Sequence, residues 1–318
     1  MITAIKLPKI IKPLVMGMMA LGLAACAAPP NRMPEIEVDG LSPRVELTSV
    51  PFHPQSERDD CGPAALAMML GWTGHVSDPS ALASQVYTPG RNGTLQADIV
   101  QATRRAGRLA VPVGTLTDML VELNAGNPVL VLQNLGSEQR PQWHYAVAMG
   151  YDLDTGTLRL HSGKDARFPL SFQAFEQSWK ASEQWGLTVT RPDHLPNTAG
   201  ETITLEAANG LEQAGQQDAA TLAYGAILQR WPDSLIALMG WGNARYAADD
   251  VQEASKAFRH AVTLHPDAAQ AWNNLAHSLA EQDRLEAALD AAQRAVSLGG
   301  PYLAAAKATL AEIQAKRG

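Results

Sequence analysis

A period of 34 residues constrains the C-terminal part of this chain more than any other feature. Pro232 and Pro266 stand 34 residues apart, and Gly300 follows at the same interval. Small residues keep that register at Ala220, Ala254 and Ala288. Further positions repeat at Tyr224, Phe258 and Ala292, and again at Ile227, Ala261 and Ala295. Near the start of each unit come Ala208, Gly242 and Ala276, preceded by Ala207, Trp241 and Leu275. Small side chains let two helices pack closely, and Pro ends the second of each pair. Such an array buries its apolar faces by stacking unit on unit and needs a solvating helix at its end. The units fall near 201–234, 235–268 and 269–302, the first of them degenerate in its opening helix, with a cap helix over Ala304–Lys316.

This all-α pattern resembles the tetratricopeptide repeat and occupies residues 193–318. The remaining length, in a chain of 318 residues, leaves room for a second domain. Hydrophobic residues make up 46% and charged ones 18%, an ordinary globular balance. The formal net charge is −7 and no basic stripe stands out, so a nucleic-acid partner is not expected.

The first 25 residues read as a targeting segment. Lys6, Lys9 and Lys12 precede a short apolar run from Leu14 to Leu23, too short for a permanent span and ending in small residues. The string Leu23-Ala24-Ala25-Cys26 resembles the lipobox of bacterial lipoproteins. That resemblance implies cleavage before Cys26, acylation of Cys26 and multiple-chain anchoring in a membrane. Ala27 stands where an Asp would signal inner-membrane retention, so the expected location is the outer membrane, facing the periplasm. Residues 26–44 contain four Pro without apolar periodicity and read as a lipidated tether.

The chain has two Cys, and lipidation uses Cys26. Cys61 is then left with no intramolecular disulfide partner in an oxidising compartment, a liability unless it has a task. It opens an apolar helical run, with Asp60 placed to cap it and Pro63 in the first turn. The positive end of a helix favours thiolate, the nucleophilic form. Gln55 lies six residues upstream, within reach of a developing oxyanion beside the Cys61 backbone N–H. Among eight His, His144 is the best base, because Trp143-His144-Tyr145-Ala146-Val147-Ala148 sets it at the mouth of a strand. His53, His75 and His161 have nothing comparable to fix them. A strand over 128–132, a hairpin joining 144–151 to 157–161, a helix over 98–107 and a last strand over 186–190 make residues 45–192 an α+β domain. Arg104, Arg105 and Arg108 read as a solvated helix face. No metal-ligand spacing, phosphate loop or dinucleotide fingerprint is present, and no cofactor is expected.

Gln55-x5-Cys61-Gly62-Pro63-Ala64, an apolar helix, and then His144-Tyr145-x-Val147-x-x-Gly150-Tyr151-Asp152 resemble the bacteriocin-processing, double-glycine leader peptidases, which are papain-like. Phe172–Lys180 and Trp185-Gly186-Leu187 are similar to the helix and strand that close such domains. The resemblance implies a papain-like cysteine peptidase with Cys61 as nucleophile, His144 as base and Gln55 as oxyanion donor. The chain departs from the family at the third catalytic position. Where the relatives carry an acid, commonly followed by Pro, this chain has Ser162, with Asp165 three residues on. A hydroxyl orients an imidazole but does not stabilise its charged form as a carboxylate does. Ser162 and Asp165 are both held as orienting candidates. The function so implied is hydrolysis of a peptide or protein substrate, with the repeats docking substrate or partner. A peptide-binding adaptor without activity and a papain-like acyltransferase or amidase are the alternatives.

Overall fold

The computed structural model describes residues 39–55, 60–88, 90 and 93–317, so Cys26 and the expected signal peptide lie outside the described residues. The first element among the described residues is strand β1 (Arg44–Glu46), so the strand begins at the residue taken as the end of the tether. Helices α1 (Cys61–Trp72) and α2 (Pro79–Val86) follow, then a small antiparallel pair, β2 (Tyr87–Thr88) and β3 (Gly93–Thr94). Next come α3 (Gln96–Arg105), β4 (Leu109–Pro112), α4 (Leu116–Asn124), β5 (Val129–Asn134) and β6 (Trp143–Asp152). Strands β7 (Thr157–Ser162) and β8 (Asp165–Ser171), helix α5 (Phe172–Lys180) and β9 (Gly186–Thr190) complete the domain.

The sheet runs β4-β9-β5-β6-β7-β8, with β1 pairing β6 beyond the end of β5, and its pairings are antiparallel. Helix α1 lies against one face. It is apolar all round and buried from Gly62 to Leu70, as befits a helix enclosed by its own domain. Alternation along β6 decides which side chains meet it. Tyr145, Val147 and Met149 share a core with α1, whereas Ala146 and Ala148 share the opposite core with Phe172, Phe175 and Trp179 of α5.

Seven helices follow: α6 (Glu201–Gln213), α7 (Gln217–Arg230), α8 (Leu235–Ala247), α9 (Val251–Leu264), α10 (Ala269–Glu281), α11 (Leu285–Leu298) and α12 (Leu303–Arg317). The small positions work as the period requires. A Cβ on Gly242 of α8 would run into the Phe258 ring of α9, so these helices touch at a distance that only glycine allows. The degenerate opening helix of the first unit has a structural cause. Helix α6 has no preceding repeat to stack on and instead packs Leu205, Ala208 and Leu211 against Leu109 and Val111 of edge strand β4.

The linker between the two parts is pinned. The fully buried carboxylate of Glu122 in α4 accepts hydrogen bonds from Thr198 N at 2.6 Å, Thr198 Oγ1 at 2.7 Å and Asn127 Nδ2 at 2.7 Å. Arg230 of α7 donates to the carbonyls of Pro196 and Leu195. The Arg104–Arg108 face is a correction. Arg104 is half-buried against Gly210 of α6, and Arg108 is turned inward to donate to Thr73 Oγ1 at 2.8 Å; Arg105 alone of the three is exposed.

Candidate active site

Cys61 is the first residue of α1, half-buried, with its side chain against the core that α1 shares with Tyr145. Asp60 occupies the N-cap position but does not cap through its side chain. Its backbone is helical (φ −78°, ψ −13°) rather than extended, which denies the carboxylate the approach to the first N–H groups that a cap needs. Its carbonyl instead accepts the Ala64 N–H at 3.0 Å. The start of the helix is crowded from outside. A Cβ on Gly62 would collide with Thr94 of the β2–β3 pair, so Gly at this position lets that hairpin sit directly on the first turn.

Cys61 opens onto a cleft of about 680 Å³ whose walls include Thr94, Leu95, Leu132, Trp143, Tyr145 and Glu183. Trp143 is half exposed there. The Tyr145 hydroxyl donates to Thr94 O at 3.1 Å, tying β6 to the hairpin. Burial first, and then the charges of Cys61 and Asp98, push the Tyr145 phenol well above its ordinary range. This side chain therefore serves as a neutral donor.

His144 lies on β6 between the cleft residues Trp143 and Tyr145. Its Nε2 is 2.9 Å from Ser162 Oγ at the end of β7. Burial pushes the imidazole below its ordinary value. Across the sheet, His144 is in register with Gln133 of β5, whose side-chain amide donates to Ser178 Oγ of α5 at 2.7 Å. Gln55 is buried and joins the same corner twice. Its Nε2 donates to Tyr145 O at 3.3 Å, and its backbone N–H donates to Gly163 O at 3.0 Å. One hydrogen of that side-chain amide is thus committed to the carbonyl of Tyr145, the residue after His144, and the second remains.

The structure therefore brings Gln55, His144 and Ser162 together, and places Cys61 on the cleft that the His144 strand walls. Asp165 is not drawn in. It pairs in register with Ser162 across the β7–β8 turn but is exposed, and among the described residues its side chain makes no hydrogen bond or ion pair. His161 departs from expectation in another way, because it is held as firmly as His144. It is buried against Phe52, with Nε2 3.3 Å from Val50 O and Nδ1 accepting the Arg167 N–H at 3.2 Å, so both ring nitrogens are occupied. Tyr145, Thr94 and Glu183 escape sequence reasoning. Tyr145 follows the candidate base directly, a usable signal, while Glu183 sits in a turn with no periodicity to mark it.

Residues 47–186 match the model of the Peptidase_C39 like family, and residues 239–302 match a tetratricopeptide repeat model. Among solved structures, a C39-like peptidase from Bacillus anthracis is 20% identical, aligned over 47% of this chain and 98% of that one with a TM-score of 0.40. The MamA protein is 25% identical over 37% of this chain and 63% of its own, with a TM-score of 0.34. The first repeat domain of Spaghetti (RPAP3), solved with the HSP90 peptide SRMEEVD, is 20% identical over 37% of this chain and 94% of its own, with a TM-score of 0.35. No curated protein matches the sequence. The chain thus carries a Peptidase_C39-like domain over residues 47–186, followed by tetratricopeptide repeats.

Proposed function

We propose that this protein is a cysteine peptidase of the bacterial envelope, acylated at Cys26, held at the outer membrane and facing the periplasm. Its repeats dock the protein substrate or a partner protein. The observation that carries the peptidase reading is the placement of Cys61 at the N-terminus of α1, on a cleft walled by the strand that bears the Ser162-bonded His144.

In this reading His144 Nδ1 takes the Cys61 thiol proton as the sulfur attacks the scissile carbonyl, and the oxyanion is met by the Cys61 backbone N–H and the remaining hydrogen of Gln55 Nε2. The C–N bond then breaks as His144 gives its proton to the leaving amine. Water, deprotonated by His144, hydrolyses the thioester and restores the thiol. Nε2 is engaged by Ser162, which assigns Nδ1 to the proton transfers. Because Ser162 is neutral and burial lowers the His144 pKa, imidazole rather than imidazolium is the resting form at neutral pH.

That same feature favours the second reading, a peptide-binding adaptor. A site whose base lacks a carboxylate partner forms the thiolate–imidazolium pair less readily. Labelling of the full chain in detergent with a thiol-directed activity probe separates the two. Fast labelling of Cys61 that is slowed strongly in His144→Ala supports the peptidase. Slow labelling of Cys61 that is unchanged in His144→Ala leaves the adaptor.

A further inference from the structure

The cleft beside Cys61 has Glu183 as its one Asp, Glu, Lys or Arg among the described wall residues. Glu183 forms no ion pair among the described residues, although Lys180 precedes it by three positions. The Glu183 turn is held in an unfavourable conformation. Glu183 and Gln184 have φ of 56° and 57°, a left-handed backbone that side-chain-bearing residues seldom adopt in succession. The surroundings enforce it from both sides: Ser182 Oγ lies 2.6 Å from Leu132 O, Gln184 N donates to Trp179 O, and Trp179 Nε1 donates to Trp185 O. Strain over-determined by its neighbours is a mark of functional placement. Trp143, half exposed, lines the same cleft, and an indole face attracts cations.

We propose that this cleft selects its peptide substrate by a basic side chain, Lys or Arg, set between the Trp143 ring and the Glu183 carboxylate. The aliphatic stem of such a side chain covers Leu132 and Pro141 while its charged head stays at the cleft rim. The helix N-terminus at Cys61 does not oppose this, because its positive potential fades within the first turn and acts on the sulfur. The proposal rests on the peptidase reading above and deepens it to a substrate class.

The test uses peptidyl acyloxymethyl ketones that differ only in the residue one removed from the electrophile, which is Lys, norleucine or Glu. Alkylation rates of Cys61 in the full chain are each divided by the rate with iodoacetamide. Lys is expected to exceed norleucine by about tenfold, and Glu to be the slowest. Glu183→Gln reduces the Lys advantage to about threefold, the part left to the aromatic face, Trp143→Ala removes that remainder, and Glu183→Lys turns the order towards Glu. Equal Lys and norleucine rates alongside fast iodoacetamide labelling overturn the basic-substrate proposal and leave the nucleophile reading standing. Slow iodoacetamide labelling counts against the nucleophile. The preference is then read from the Kd of the same peptides as amides on Cys61→Ser, where equal Kd values for Lys and norleucine also overturn it.

Discussion

His144 Nε2 meets a hydroxyl, Ser162 Oγ at 2.9 Å, and not a carboxylate. A serine fixes the ring through one hydrogen bond but adds no charge to favour its protonated form. Replacing it with an acid therefore tests how much the site loses by the exchange. Ser162→Asp is expected to raise the His144 pKa by about one unit or more and to speed Cys61 alkylation at pH 6 by about tenfold. Ser162→Ala is expected to slow it. Asp165→Ala is expected to be nearly silent, because Asp165 is exposed at the start of β8. Rates with iodoacetamide across pH 5–9 read all three; a large loss in Asp165→Ala would transfer the orienting role to that residue.

The thiol itself gives a separate expectation. The placement of Cys61 at the start of α1 is expected to favour the thiolate more than in an unperturbed thiol, whose pKa is about 8.5. Alkylation of the wild-type chain should then reach half its maximal rate below that pH, and mass spectrometry should find the label on Cys61. A midpoint at the unperturbed value removes the electrostatic argument for a nucleophile.

The buried His161 and the half-buried His144 predict how stability follows pH. Burial lowers both His144 and His161, so the folded chain binds these protons later than the unfolded chain. The unfolded state holds more protons in the interval between the lowered values and about 6.5, and stability rises with pH there. It is fully present above about 6.5 and is lost as pH falls from there through the folded values. Protonation of His161 also sets a donor against the Arg167 N–H, which its Nδ1 accepts. Urea midpoints should fall between pH 7 and pH 5, less steeply in His161→Gln; an unchanged slope in that variant would assign the effect elsewhere.

The linker carboxylate makes a stability prediction. Glu122→Ala strips three hydrogen bonds from Thr198 and Asn127 in a buried position. A cost of about 2–4 kcal/mol is expected, with Glu122→Gln costing less because it keeps an acceptor. Thermal unfolding monitored by near-ultraviolet circular dichroism measures both, and a shift of under about 0.5 kcal/mol in Glu122→Ala would show that the network contributes little.

For Cys26→Ala, the expected outcome is loss from the outer-membrane fraction and recovery either in the soluble periplasm or uncleaved. Fractionation and mass determination of the N-terminus report it. Unchanged fractionation would mean that something other than acylation holds the protein.

Sequence reasoning reached the elements whose signals are local. The all-apolar run from Cys61, the hairpin around Asp152–Gly156 and the 34-residue period each appear where expected, and β9 and α5 match their expected bounds. Helix α3 runs Gln96–Arg105, two residues ahead of the expected span. Helices α2 and α4 were missed although each has a side-chain cap, Asp78 accepting from Ser80 N and Thr115 accepting from Asp118 N, because each spans little more than two turns. Strand β4 is four residues long and owes its place to two tertiary neighbours, β9 and α6. At the site, the types and order of Gln55, Cys61, His144 and Ser162 were legible. Three features were not: the Gln55 bond to Tyr145 O, the Thr94 cover on Gly62 and the turn at Glu183 all depend on segments distant in sequence. Arg104 and Arg108 misled for the same reason, since their partners are a helix end and a repeat.

The packing of α6 on β4 means that the chain cannot be cut at residue 192 without cost. Removing the repeats would strip Leu205, Ala208 and Leu211 from Leu109 and Val111 and leave an apolar edge strand open to pairing with other molecules. A gene fusion or module exchange at that linker would thus yield an aggregating N-terminal half, whatever became of the Cys61 cleft. The repeat array is a fixed wall of the C39-like domain and not cargo on a leash, so anything it grips is presented to that domain at a set bearing.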